Sequence, residues 1–165
     1  MDDIAPLTEK SRDRLAAITL DQKSLGPANA NIEHEREVAI FDILDGNVFT
    51  LDGIDRGPYQ LFLSVAEDRL LMTISDSADH AVAQHQVPLT PLKRIIKDYF
   101  MVCESYYEAV RTAPPARIQA IDVNRRGLHD EGSQVLREKL LTKIAVDNDT
   151  ARRLFTLVSA LHWKG

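Results

Sequence analysis

Apolar and polar residues alternate in the middle of the chain, and this alternation predicts β-strands there. In YQLFLSV (59–65), Tyr59, Leu61 and Leu63 share one face, and RLLMTIS (69–75) repeats the same period of two. The AEDR segment between them is short enough to predict a β-hairpin. Three further segments predict strands: RLAAITL (14–20), VFTL (48–51) and AVAQHQV (81–87).

The second half of the chain changes to apolar residues at three- and four-residue spacing, which predicts α-helices. The strongest repeat follows Thr90, a candidate N-cap, and Pro91 suits the first helical position, so we expect a helix to about Thr112. Its apolar stripe comprises Leu92, Ile95, Ile96, Tyr99, Cys103, Tyr106 and Val110. Other helices are predicted by NIEHEREVAIFDILDG (N-cap Asn31, apolar second half buried), SQVLREKLL and DTARRLFTLVSALHW.

The order of these elements, strands first and helices later, predicts an α+β fold. We expect an antiparallel sheet of four or five strands with the helices packed on one face. A length of 165 residues suits one domain with a proper core, which we place at residues 14–165. The acidic and polar residues 1–13 predict a flexible N-terminal arm.

Charge and cysteine content narrow the classes of function. The net charge of -5 disfavours a broad nucleic-acid surface and binding to anionic membranes, since both need clustered Lys and Arg. Cys103 is the only cysteine, so neither an intrachain disulfide nor a CxxC zinc site can form. The polar start lacks the pattern of a signal peptide, and no apolar run approaches membrane-spanning length. We therefore expect a cytoplasmic protein.

Familiar motifs for catalysis and cofactor binding are missing from the sequence. GxxxxGK(S/T), GxGxxG and GxSxG do not occur. HEREV, which begins at His34, departs from the HExxH zinc motif because Val38 stands where the second histidine belongs. His80 and His85 are five residues apart and would face opposite sides of an extended segment. We expect no cofactor and no metal site.

Four long segments occur in the same order in a known family. IEHEREVAIFDIL, LTPLKRIIKDYFMVCESYYEAVRTA, IQAIDVNRRGLHDEGS and DTARRLFTLVSALHW resemble an uncharacterised bacterial protein family of the UPF type, which denotes unknown function. The resemblance spans residues 15–163. It implies a small bacterial protein of a single domain, and it brings no catalytic residue, cofactor or substrate.

The segment RRGLHDEG (125–132) is the densest cluster of candidate chemistry, and two interpretations remain open. In the functional one, Arg125 and Arg126 bind a phosphate or carboxylate. His129, with Asp130 or Glu131 to orient it, then transfers a proton. In the structural one, the segment is a turn between two helices, and both arginines pair with Asp122 three and four residues earlier.

A second arginine pair, Arg152 and Arg153, lies in the first turn of the last predicted helix. Cations there oppose the helix dipole. Either Asp147 and Asp149 offset the two arginines, or the arginines and the helix start bind an anion. Both arginine pairs facing one cleft would form a strong anion site.

Three other features of the sequence suggest contacts. Cys103 lies on the apolar stripe with no base nearby, so we expect a buried small hydrophobe. Tyr106 and Tyr107 are interface candidates, because tyrosine is favoured in protein contacts. Arg36 lies on an otherwise apolar helix stripe, so we expect it to snorkel at the core edge or to pair with a buried acid, rather than to contact a ligand.

Two functions follow from these observations. The first is a non-catalytic protein that acts through a protein partner or self-association, since no complete catalytic constellation is present. The alternative is an anion-binding domain or small enzyme for a phosphorylated or carboxylated metabolite, with the arginines binding and His129 and Glu131 moving the proton. A nucleic-acid partner ranks last because the chain is acidic, and no membrane partner is expected.

Overall fold

The computed structural model describes residues 12–26 and 28–162. Of the arm predicted for residues 1–13, only Arg12 and Asp13 fall within the described residues, and Arg12 donates to the carbonyls of Asp55 and Gly57. The elements are β1 (Leu15–Leu20), α1 (Gln22–Leu25), α2 (Ala30–Asp45), β2 (Phe49–Leu51), β3 (Tyr59–Ala66), β4 (Arg69–Ser75), β5 (Ala81–Pro88), α3 (Thr90–Thr112), α4 (Pro115–Leu140), β6 (Ile144–Val146) and α5 (Asn148–His162).

Four strands form a mixed sheet in the order β1-β3-β4-β5. The predicted α+β class is confirmed, but the purely antiparallel arrangement is wrong, because β1 runs parallel to β3. The chain between these two strands passes through α2 and returns to the same end of the sheet, and such a crossover produces a parallel pair. The hairpin of β3 and β4 and its neighbour β5 are antiparallel, as predicted.

Helices cover one face of this sheet, and the alternation of apolar residues explains which face is buried. Leu63 of β3 lies opposite Met72 of β4, and both side chains are buried. They share the core with Leu136 of α4 and Leu157 of α5. On the other face of β3, Phe62 is 41% exposed. The sheet therefore forms one layer of the fold and the helices form the other.

VFTL does not join the main sheet, contrary to the prediction. Its residues form β2, which pairs antiparallel with β6 in a separate two-stranded sheet. Phe49 lies opposite Val146, and Leu51 lies opposite Ile144, with all four side chains buried. This small sheet connects the segment after α2 to the segment between α4 and α5.

α4 is one continuous helix that contains the whole of RRGLHDEG, so the predicted turn is wrong. A Cβ atom at Gly127 would meet nothing within 4 Å, whereas a Cβ at Gly132 would lie 2.2 Å from the Phe155 ring of α5. Glycine in a helix interior costs only about 1 kcal/mol, so it weakens a helix without ending it. At Gly132 the absence of a side chain allows the close contact of α4 with α5.

α5 lies at the centre of the helical layer and contacts both α2 and α4. Arg36 of α2 is buried, and its guanidinium donates to the backbone carbonyls of Ala160 and Leu161 at the end of α5. Its partners are thus helix-end carbonyls, which lack partners within their own helix, rather than a buried acid. At its start, α2 is capped by Asn29 and not by Asn31 as predicted.

Candidate functional site

Arg125 and Arg126 both contact Asp122 on the same helix. Arg125 donates to Oδ1 through Nε at 3.1 Å and through Nη2 at 2.5 Å, and Nε of Arg126 lies 3.1 Å from Oδ2. The hydrogen bond from Arg125 is the main cause that holds the pKa of the Asp122 carboxyl below its usual range. The Arg125 guanidinium also lies over the Tyr106 ring, 4.9 Å from its centroid. The pairing expected in the structural interpretation is therefore present.

Arg152 and Arg153 turn to different partners at the start of α5. Arg152 pairs with Asp130 of α4, and Arg153 donates to the carbonyl of Gly46 after the end of α2. The side chain of Asp147 accepts a hydrogen bond from a backbone amide in the first turn of α5 at 2.9 Å. Each of the four arginines considered for an anion site thus contacts an acid or a carbonyl of the protein itself.

His129 is buried among α3, α4 and α5 and is 9% exposed. Its Nε2 lies 2.8 Å from Oγ1 of Thr156, so the ring has a hydrogen-bond partner within the protein. Burial, with the charges of Arg152 and Arg125, lowers the pKa of His129 to about 4. The ring is therefore neutral near pH 7. Glu131 is exposed two residues further on, about 200° around the helix, so the structure does not bring the two together.

A groove of about 510 Å³ opens between α2, α3 and α5. Its volume falls in the range of known ligand sites. α2 and α3 form the two walls, and α5 forms the floor. The wall residues are Ile32, His34, Glu35, Val38, Ala39 and Asp42 of α2, and Tyr99, Phe100, Cys103, Glu104 and Tyr107 of α3.

The floor of the groove is open because α5 presents only small side chains to it. Thr156, Ser159 and Ala160 follow one another at helical spacing and line the groove together. The Ser159 side chain is 2% exposed, and its hydroxyl has no hydrogen-bond partner among the described residues. A buried hydroxyl without a partner costs about 1–3 kcal/mol. The hydroxyl oxygen is itself closed to solvent, so it lies beneath the surface of the groove floor.

Tyr99 and Cys103, one turn apart on α3, supply polar groups to a mostly apolar wall. Burial raises the pKa of Tyr99 to about 12, and burial also raises the pKa of the Cys103 thiol. The hydrogen bond with Tyr99 and the charge of Arg125 oppose this rise in the thiol pKa, while the carboxylates of Glu35 and Glu104 add to it. Cys103 is half-buried rather than fully buried, and it is protonated near pH 7, so it is not a thiolate nucleophile.

Three exposed residues that line the groove carry carboxylates: Glu35, Asp42 and Glu104. In the part of the chain that the structure describes, none of them forms an ion pair, and no Lys or Arg lines the groove. Arg125 approaches Tyr99 at the wall, but it is already bound to Asp122. Among the described residues that line the groove, the three carboxylates therefore have no matching Lys or Arg.

Apolar side chains continue from the groove onto the surface. Val38 is 44% exposed, and Phe41 and Tyr107 are each 68% exposed. Val110, which the sequence places on the core stripe of α3, is 52% exposed. Tyr106 differs from its neighbour, since it is half-buried beside Arg125. Val38 and Tyr107 line the groove from opposite walls, and exposed apolar side chains on such a surface are typical of binding sites.

Sequence reasoning identified one wall of the groove and missed the other wall and the floor. The α3 stripe with Tyr99 and Cys103 is predicted, but as core. Val38 and Phe41 lie in the half of α2 that is predicted to be buried, although both are exposed. The small residues at helical spacing in α5 were the available signal for a floor.

Residues 12–26 and 28–162 contain neither a metal-ligand cluster nor a membrane-spanning helix. No group of three or more His, Cys, Asp or Glu side chains there is placed to bind a metal ion. No helix in the same ranges is long and apolar enough to cross a membrane.

The sheet, the helical layer and the groove define an α+β protein whose candidate site is a cleft between helices. The chain belongs to the uncharacterised protein family UPF0262, whose family model matches residues 12–164, and this confirms the resemblance seen in the sequence. It is 51% identical to a UPF0262 protein of Nitrobacter hamburgensis over 97% of this chain and 98% of that one. A UPF0262 protein of Rhodopseudomonas palustris is 49% identical with the same coverage. No solved structure gives a significant match.

Proposed function

We propose that the protein is a non-catalytic binding protein that docks a protein partner in the groove between α2, α3 and α5. The observation that carries the proposal is the groove itself. Two partly apolar helix faces stand apart over a floor that holds the unpartnered Ser159 hydroxyl. Packing these two faces against each other would stabilise the fold by about 25 cal/mol for each Å² of apolar surface that is buried. The groove stays open although closing it would stabilise the fold, and this is what we expect of a surface used for binding.

Binding has better support than catalysis. His129 is buried and neutral, Glu131 lies on a different side of α4, and the thiol of Cys103 is protonated. The anion-binding alternative has less support, because its four arginines already contact groups of the protein. We also infer a cytoplasmic location, which the single cysteine and the absence of disulfides support.

Nile red, a neutral apolar dye, tests whether the groove binds ligands. We expect a saturable rise in its fluorescence with the native protein. Ala160→Leu places a large side chain on the floor, so it should weaken dye binding by about tenfold or more. Ala120→Leu makes the same change on the exposed side of α4 and should leave the affinity unchanged. Fluorescence titration gives both affinities.

Equal affinity of the two variants would place the dye elsewhere and would count against the groove as the binding site. Thermal melts followed by circular dichroism identify any variant that does not fold. Should Ala160→Leu fail to fold, Ser159→Val fills the same floor with a smaller side chain and repeats the test.

A further inference from the structure

We infer that the docking element of the partner is a basic amphipathic helix, an inference that rests on the proposed docking function of the groove. Its apolar side chains lie over Ser159 and Ala160. Its Lys and Arg side chains pair with the carboxylates of Glu35, Asp42 and Glu104 at the opening.

The length of the groove suits a short helix. At about 1.5 Å rise per residue, α2 lines it over about 15 Å from Ile32 to Asp42, and α3 lines it over about 12 Å from Tyr99 to Tyr107. These lengths correspond to about two to three turns of a bound helix. Helices that bind in such grooves insert apolar side chains at i, i+3 or i+4, and i+7.

The exposed apolar flanks favour a helix over a small ligand. A small molecule in the groove would contact the wall, which includes Tyr107, but it would leave Phe41 uncovered, because Phe41 lies outside the lining and is 68% exposed. A helix is about 10 Å wide with its side chains, so it would cover the floor and reach both flanks. Tyrosine and phenylalanine are also among the residues enriched in protein interfaces.

Charge favours a basic partner over an acidic one or a second copy of the chain. The three carboxylates at the opening have no cationic partner among the described residues. A second copy would bring the same acidic opening and a further net charge of -5, so the two surfaces would repel. Lys and Arg on the partner would instead accelerate association and fix its orientation.

The probe is a fluorescein-labelled peptide of about 18 residues that forms an amphipathic helix, with Leu at i, i+3, i+4 and i+7 spacing and Lys elsewhere. The matched peptide carries Glu in place of every Lys. Fluorescence anisotropy measures binding of each to the full chain. We expect the Lys peptide to bind at least about tenfold more tightly than the Glu peptide, with the difference shrinking as salt is raised.

Charge reversal at the groove separates specific docking from general attraction. Glu35→Lys/Glu104→Lys should weaken the Lys peptide by about tenfold or more and strengthen the Glu peptide. Asp52→Lys/Glu138→Lys changes the net charge equally at exposed positions outside the groove and should leave both affinities within about twofold. Ala160→Leu should weaken the Lys peptide without any change of charge.

Equal losses in the two charge-reversal variants would overturn the inference, since attraction would then follow net charge alone. Nile red binding in the groove without peptide binding would reject the basic helix and leave the groove as a binding site. Failure of dye and peptide alike would reject both proposals. A dimer in sedimentation that Ala160→Leu dissociates would assign the groove to a second copy and also overturn the inference.

Discussion

Gly132→Ala is expected to lower the free energy of unfolding by about 1–3 kcal/mol, because its added methyl group has no room. The new Cβ would lie 2.2 Å from the Phe155 ring, and Phe155 is fully buried, so the ring cannot move aside without disturbing the core. Gly127→Ala makes the same change five residues earlier in the same helix, where the Cβ meets nothing within 4 Å. It should raise the stability by about 0.5–1 kcal/mol, through helix propensity alone.

Thermal or urea unfolding of the two glycine variants measures both effects. Each kcal/mol corresponds to about 2–4 °C in melting temperature for a chain of this size. A Gly132→Ala variant as stable as the wild type would mean that α4 and α5 do not pack as closely as described. A loss of stability in Gly127→Ala would mean that α4 is interrupted there and would restore the predicted turn.

The protein should lose stability as the pH falls from neutral towards 4, because His129 is neutral in the folded state. Burial is the main cause that lowers its pKa from 6.5 to about 4, with Arg152 and Arg125 adding to the effect. Between these two values the unfolded chain binds a proton that the folded chain does not. The contribution of the neutral His129 ring to the free energy of unfolding is therefore complete above pH 6.5, and it is lost as the pH falls to about 4. It amounts to about 2 kcal/mol after allowance for partial screening by solvent.

His129→Gln is the matched control for this pH dependence. Glutamine does not titrate, and its amide carries both a hydrogen-bond donor and an acceptor for the Thr156 hydroxyl. Urea unfolding at several pH values should show that the wild type loses about 2 kcal/mol more than the variant over this range. Carboxyls such as Asp122, whose pKa is lowered by Arg125, lose their contribution only at lower pH. Parallel curves for the two proteins would contradict the buried, neutral state of His129.

Local patterns in the sequence predicted most of the elements, but not how the first strand pairs. Period-two alternation located β3 and β4, and the apolar repeat after Thr90 located α3. The direction of β1 depends on the path of the chain through α2, which no short pattern encodes. The two glycines of α4 resemble turn residues in the sequence, and only the contact of Gly132 with Phe155 explains why a glycine occurs within a helix.

The candidate site was harder to predict, because it depends on surfaces that three separate helices leave uncovered. The apolar stripe of α3 predicted a face buried in the core. Part of that face instead forms the wall of the groove, because α2 does not pack against it. The arginines of RRGLHDEG suggested an anion site, but Asp122, three and four residues earlier, already indicated their partner. An unpartnered hydroxyl such as that of Ser159 cannot be recognised without the packing around it.

The alkylation rate of Cys103 by N-ethylmaleimide tests the central claim most directly, because this residue is the only cysteine and lines the groove. We expect a saturating amount of the Lys peptide to slow alkylation by at least about tenfold, in proportion to the peptide bound. In Ala160→Leu, at the same peptide concentration, little peptide is bound and the rate should stay close to that without peptide. An unchanged rate in the wild type with the peptide fully bound would show that docking occurs elsewhere and would contradict the assignment of the groove.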